Sequence, residues 1–437
     1  MHKEGDFEIK VDSLSKIEGH ADLEVKVKNR KVEYAHLKIS ESKRFFTQAV
    51  RGKSALNVAQ VVSRICGTCS IAHLLCCIEA VENASGIIPS DQTMVLRNLT
   101  MDGLMIRDHA MHLYLFCLPD VMNADSILEI AENDRELVEK AFEVKSAGNE
   151  LSKIIAGRAV HPPYPIVGGF SRVPPNDEAR KIAHLLKDAR DHALEFADIF
   201  RDAMPLFERK THFVALKNQN YEFIGGELCS SEGYCISRKN FLEHLNRVVK
   251  PYSQATGFEF EGREYMVGAL ARMNLNREAL HPDTKRDLSS MLAYFPSNNI
   301  YMNNLAQAIE IVNCIDHAIE KLETSDFKKE QISLPKLAAG EGVGVIEAPR
   351  GTLYYNLKIN NGGLIDYINL VIPTAQNMVN MEKDMEKIVQ DNLDVGRSKE
   401  RIRVELERII RAYDPCMSCA THFLKVRWIE EGSRKRT

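Results

Sequence analysis

Apolar and polar positions alternate first near the N-terminus. Leu23, Val25 and Val27 alternate with charged residues, Asn29 and Arg30 supply a polar turn, and Val32 to Ile39 form a return strand. The alternation slips around His36, which predicts a bulge there. The reading is a β-ribbon over about residues 6–40. After Gly52 the period becomes helical, with Leu56, Ala59, Val62 and Ile65 at three-residue spacing. A second helix is predicted from about Ser70 to Asn83, stopping near Gly86 and Pro89, and a long one from Asp91 to Cys117, before Pro119. Further helices are predicted over Ser126 to Gly157, Asp177 to Phe207, Asn299 to Glu323, Pro373 to Asn392 and Ser398 to Tyr413. Between them, Leu353, Tyr355, Leu357 and Ile359 alternate, and Asn361-Gly362-Gly363 marks a turn before Ile365 and Tyr367. No internal repeat and no low-complexity linker divides the chain. The expected fold class is mainly α with small β appendages (α+β), in one large unit.

Composition narrows the classes. Lys+Arg is 57 and Asp+Glu is 61 in 437 residues, a formal charge of −4. A nucleic-acid binder would show a basic excess, so none is expected. No apolar run approaches the ~20 residues of a membrane span, and MHKEGDFEIK has no signal-peptide apolar core. The expectation is a cytoplasmic protein. Its 10 cysteines form no dense framework, so they are expected as buried thiols, ligands or nucleophiles.

Four of them make two CxxC pairs, Cys66-Gly67-Thr68-Cys69 and Cys416-Met417-Ser418-Cys419. A two-residue spacer turns both sulfurs to one side, and thiolates suit a soft transition metal. A zinc or rubredoxin-like site has the same spacing. Here, however, the pairs lie 350 residues apart, whereas zinc ribbons join pairs across short loops. A site closed from both ends of the chain points to a functional centre. The remaining cysteines, Cys76, Cys77, Cys117, Cys229, Cys235 and Cys314, show no cluster spacing and read as buried thiols.

The flanks carry more. Arg64-Ile65-Cys66-Gly67-Thr68-Cys69 runs on to His73, and Asp414-Pro415-Cys416-Met417-Ser418-Cys419 runs on to His422. Together these resemble the large, catalytic subunit of nickel–iron hydrogenases, most like the soluble cytoplasmic class. The resemblance extends over most of the chain. It takes in Ser15-Lys16-Ile17-Glu18-Gly19-His20, Asp108-His109-Ala110-Met111-His112, Arg158 with His161-Pro162 and Gly168-Gly169, and Glu347-Ala348-Pro349-Arg350-Gly351.

The resemblance implies the hydrogenase large-subunit fold, built on a long central helix bundle, and reversible heterolytic cleavage of dihydrogen. By motif position, Cys66 and Cys416 are terminal nickel ligands. Cys69 and Cys419 bridge nickel to an iron that carries carbon monoxide and cyanide. Arg350 overhangs the open position as a base or a polarising charge, with Asp108 and Asp414 as its carboxylate partners. Taken alone, Arg350 also reads as an ordinary ion-pair residue, and Asp414 as a cap before Pro415. Glu18 is the first proton-relay carboxylate, although by itself it reads as a strand-end glutamate. His73 donates to a bridging sulfur, or is a satisfied core residue.

The resemblance also implies a single domain over residues 1–422 and a maturation extension, 423–437, cleaved between His422 and Phe423. His422 then becomes a ligand of a magnesium-type ion. The family's other ligand to that ion is a glutamate nineteen residues before the first motif cysteine. Thr47 stands there, a weak neutral ligand for a hard dication, with Glu41 nearby. No iron–sulfur cluster is expected in this chain. The implied partners are an iron–sulfur small subunit, further electron-transfer subunits, a maturation protease and nickel-insertion proteins. The electron acceptor is a nicotinamide, a deazaflavin or a heterodisulfide reductase. Other readings are a dihydrogen sensor, a complex I-like subunit and a structural zinc protein. Sensors lack the extension, and complex I relatives lack the four cysteines.

Overall fold

The computed structural model describes residues 6–42, 45–330 and 335–421. The N-terminal ribbon has three antiparallel strands, Phe7–Val11, Ala21–Lys28 and Lys31–Ile39. Asn29 and Arg30 take left-handed conformations at the predicted turn. The bulge lies nearer that turn than expected. Register shifts between Lys26 and Val27, and His36 pairs regularly with Glu24.

A bundle of four long helices forms the centre: Asp91–Ala110, Arg135–Ala156, Asn176–Asp202 and Met302–Thr324. Their mutually facing positions are buried and mostly apolar, as the helical period requires, with polar pairs such as His317–Asp102 set between them. The predicted helix to Cys117 runs on. A π-helical segment, Met111–Cys117, carries the chain into Leu118–Met122, with Pro119 in the new first turn, where its missing N–H does no harm. The helix predicted over Ser126 to Gly157 is two, Ile127–Asn133 and Arg135–Ala156, split at Asp134, whose carboxylate caps the second.

The second layer is an antiparallel sheet, Gly340–Ala348, Gly351–Ile359 and Ile365–Val371. It packs on the helix Ser70–Ser85. The approach is close enough that a Cβ at Gly342 would stand 2.1 Å from the Ala80 carbonyl oxygen, and one at Gly344 2.1 Å from that of Cys76. That strand was not predicted, because its alternate positions are glycines rather than apolar side chains. Between residues 203 and 300 the chain makes short strands, among them Val214–Lys217 and Glu227–Ser230, which pair with each other.

Cys229 and Cys235 are not free thiols. They face each other across the hairpin of Glu227–Ser230 and Cys235–Ile236 and form a disulfide. Cys76, Cys77, Cys117 and Cys314 are buried free thiols, as expected. Burial pushes the thiols of Cys76, Cys77 and Cys314 up, so they stay protonated.

Candidate metal centre

The two cysteine pairs meet at the N-terminal end of the helix Ser70–Ser85. Each pair uses the same local device. Cys66 and Cys416 have extended backbones, and the chain then turns into a helix, at Cys69 in the first pair and directly after Cys416 in the second. Cys69 is the N-cap residue of Ser70–Ser85, so its sulfur sits at the positive end of a 16-residue helix. A second helix N-terminus, at Pro373–Asp394, borders the site, and Thr374 Oγ1 accepts from the Cys416 amide at 2.9 Å.

The four sulfurs lie within 4.8 Å of one another and all four residues are buried. Cys66 and Cys416 are 3.5 Å apart, Cys69 and Cys419 3.2 Å, and Cys416 and Cys419 2.7 Å. Such crowding sets their protonation. Hydrogen bonds with Cys416, Cys419 and Cys69 hold the Cys66 thiol well below its ordinary value, while burial pushes Cys416 and Cys419 well above theirs. Four thiolates cannot coexist here without a cation between them. Among the described residues, no other group of His, Cys, Asp and Glu has metal-ligand spacing.

Glu18 reaches the centre from the N-terminal segment. Its Oε2 is 3.1 Å from Cys416 Sγ and accepts from the Ser418 amide at 3.1 Å. Its carbonyl accepts from Met417 N at 3.0 Å, so the N-terminal segment and the second cysteine pair are joined by a short parallel bridge. Glu18 itself is half-buried.

Arg350 and its two expected carboxylates are also together. Its Nη1 donates to Asp108 Oδ2 at 2.8 Å, and Nη2 stands 2.9 Å from Asp414 Oδ1. All three are buried. Burial alone would weaken the charge on Arg350, but Asp108 and Asp414 reverse that and hold the guanidinium cationic. Burial raises the Asp108 carboxyl, against the pull of Arg350. Arg350 Nε is buried without an acceptor among the described residues.

A small cavity is bounded by Arg350, His73, Pro373 and the sulfurs of Cys69, Cys416 and Cys419. His73 also lines it, and its Nδ1 pairs with Tyr355 OH at 2.7 Å. His422 lies outside the described residues, as do Phe423 and the rest of the extension. Thr47 is half-buried on the short helix Phe46–Ala49, and Glu41 accepts from the His20 amide at 3.1 Å.

Several residues beside the site were not anticipated. Thr68 Oγ1 is 3.0 Å from Cys66 Sγ, and Arg107 donates to the Thr68 carbonyl. Gln307 donates to Asp414 Oδ2 at 3.0 Å and accepts from His112. Thr68 lies inside the first cysteine motif and Arg107 directly before Asp108-His109, so their neighbours marked them. Nothing in the sequence marks Gln307, which reaches Asp414 only through the fold.

A family model of the nickel-dependent hydrogenases matches residues 44–156 and 234–422. The alpha subunit of sulfhydrogenase 1 from Pyrococcus furiosus is 30% identical over 427 residues, which span 96% of this chain and 98% of the relative. The beta subunit of the NAD-reducing hydrogenase HoxS from Cupriavidus necator is 28% identical, over 95% of this chain and 94% of its own. Among solved structures, an NAD+-reducing [NiFe]-hydrogenase in the H2-reduced state matches with a TM-score of 0.84 at 22% identity, over 95% of this chain and 99% of that one. The Ni-Fe-Se hydrogenase of Desulfovibrio vulgaris Hildenborough matches with a TM-score of 0.78 at 22% identity, over 96% and 100%. At that identity the likeness establishes the fold. The matched family model, the sulfhydrogenase relative and the four gathered thiols establish the rest: the chain belongs to the nickel-dependent hydrogenase family, as its large subunit.

Proposed function

We propose that this chain catalyses the reversible heterolytic cleavage of dihydrogen at a nickel–iron centre held by Cys66, Cys69, Cys416 and Cys419. The donor set fits such a centre. Four soft sulfur ligands are packed in a buried site, and each one's ionisation opposes the others' until a cation is present. When bound, the centre supplies the Lewis-acidic site at which dihydrogen is polarised, with carbon monoxide and cyanide on its iron.

The protein's own contribution is to hold charge and move a proton. Arg350, fixed between two carboxylates, acts as a permanent cationic donor facing the sulfurs rather than as a base. Its unpaired Nε fits an acceptor carried by the iron's diatomic ligands. Glu18 stands where a proton at Cys416 Sγ can be taken up and passed outward. The helix termini at Cys69 and Pro373 favour negative charge on the sulfurs. The apolar wall of Leu353, Ile372 and Ala348 keeps the cavity dry.

Electrons leave through an iron–sulfur small subunit. The relatives are named as single subunits of larger enzymes, which supports this. The turn at Arg64 and Gly67 is exposed directly beside buried Cys66, which offers an exit face. Further electron-transfer subunits then carry the electrons to the acceptor. Among the described residues, no helix is long and apolar enough to cross a membrane, and the reading places the enzyme in the cytoplasm. Residues 423–437 are removed between His422 and Phe423 by a maturation protease once nickel-insertion proteins have acted.

The observation that carries this reading is the convergence of both cysteine pairs with Glu18 and Arg350 in one buried site. The test is the matured protein's infrared spectrum and metal content. Bands in the metal-bound carbon monoxide and cyanide region, with nickel and iron, are expected. Zinc without such bands would sink the reading.

A further inference from the structure

Arg272 lies in the helix Ala269–Asn276, outside the motifs that mark the centre, and is buried. All five of its N–H donors are engaged. Nε and one Nη2 hydrogen bind the two oxygens of Glu310, each at 2.7 Å. Nη1 donates to Glu347 Oε2 at 2.9 Å and to the Ala348 carbonyl at 3.0 Å, and Nη2 also donates to the Pro349 carbonyl at 3.1 Å. Ala348 and Pro349 are the two residues that lead into Arg350. Arg272 therefore grips the backbone from which the overhanging guanidinium is hung.

The same cluster reaches Arg350's partner. Glu310 also accepts from His109 Nε2, at 2.8 Å, and His109 adjoins Asp108. So one buried ion cluster ties the main chain before Arg350 to the helix that carries Asp108. Glu347 is clamped in turn by the Leu216 amide and the Thr352 hydroxyl, both at 2.8 Å. Such saturation leaves the cluster one low-energy arrangement, because any shift would strand buried charges and carbonyls.

We propose that Arg272 is a positioning residue for dihydrogen cleavage, setting Arg350 and Asp108 relative to the four cysteine sulfurs. This rests on the catalytic reading above. A lysine at 272 keeps the charge and still reaches Glu310, but it lacks the planar fork that holds two carboxylates and two carbonyls together. Misplacement of a reacting group by about 1 Å can lower a rate about a hundredfold.

The test uses the matured holoenzyme and the exchange of deuterium gas with water protons, which reads cleavage without an electron acceptor. Rates are expressed per bound nickel. Arg272→Lys is expected to bind nickel and show the wild-type infrared bands, with exchange per nickel reduced at least tenfold and KM for dihydrogen unchanged. Thr352→Val, a near-isosteric change that only loosens Glu347, is expected to lower the same rate by a smaller factor. A purely structural role would reduce nickel content but leave the rate per nickel at the wild-type value, and that result in either variant overturns the proposal. If Arg272→Lys yields too little loaded protein, Thr352→Val decides alone. An inactive wild-type protein without the infrared bands would instead refute the catalytic reading.

Discussion

Glu18 Oε2 lies 3.1 Å from Cys416 Sγ, although the two residues are 398 positions apart in the chain. The contact needs the N-terminal segment to dock against the turn that ends at Cys419, and the main-chain bond from Met417 to Glu18 provides that docking. The carboxylate is thus placed by backbone, and its side chain is left for proton transfer. Glu18→Gln keeps the shape and an acceptor oxygen but cannot carry the proton. Turnover with dihydrogen is expected to fall by about 10² to 10⁴, the usual worth of a general base. Nickel content, measured by metal analysis, is expected to stay at the wild-type level. Unchanged turnover would remove Glu18 from the proton path.

The division of the cysteines can be read directly by substitution. Cys69→Ser replaces a soft sulfur donor in the four-membered set, and the purified protein is expected to lack nickel and activity. Cys314→Ser introduces a hydroxyl into a fully buried position on the central helix Met302–Thr324. It is expected to lower stability by about 1–3 kcal/mol while retaining nickel and activity. Equal loss of nickel in both variants would contradict the assignment.

What the sequence revealed follows from how local each signal is. The bundle helices have long, regular apolar periods, and the predicted spans differ from those observed mainly at their ends. The cysteine pairs, Glu18, Asp108, Arg350 and Asp414 sit in dense motifs, and the structure brings all of them to one place. Interactions set by tertiary contact were not visible. No sequence signal marks Arg272, which becomes part of the site only because Glu310 and Glu347 arrive from other elements. Cys229 and Cys235 have no recognisable spacing, and only their cross-strand register makes them partners. The strand Gly340–Ala348 lacked apolar alternation because it lies too close to a helix for side chains.

That close approach makes a sharp prediction. In Gly344→Ala the new Cβ would stand 2.1 Å from the Cys76 carbonyl oxygen, on the helix that begins at Cys69. Backbone cannot yield there without moving the sheet off the helix. A loss of about 1–3 kcal/mol is expected, as for other overpacked cores. Thermal unfolding should show it as a lower Tm. Glu341→Ala, at an exposed position on the same strand, is expected to stay within about 0.5 kcal/mol of wild type. Equal Tm values for Gly344→Ala and wild type would mean that the strand does not lie where it is described.

His112 supplies a pH-dependent contribution to stability. Its Nδ1 is 2.5 Å from the Gln307 side-chain oxygen and its Nε2 2.8 Å from the Arg411 carbonyl. The Gln307 amide is oriented by its own donation to Asp414. Both ring nitrogens therefore face acceptors, which only the doubly protonated ring satisfies. Burial alone would favour the neutral ring, but the charge of Asp414 and the hydrogen bonds with Cys117 and Gln307 outweigh it and raise the pKa to about 10. The folded-state value lies above the ordinary 6.5. The stabilisation is therefore complete below about pH 6.5 and is lost as pH rises toward 10. Denaturant unfolding of wild type and His112→Gln across this range measures it. The stability gap between them is expected to be constant below pH 6.5 and to narrow steadily above it. A gap independent of pH up to 10 would show that the ring is neutral in the folded protein.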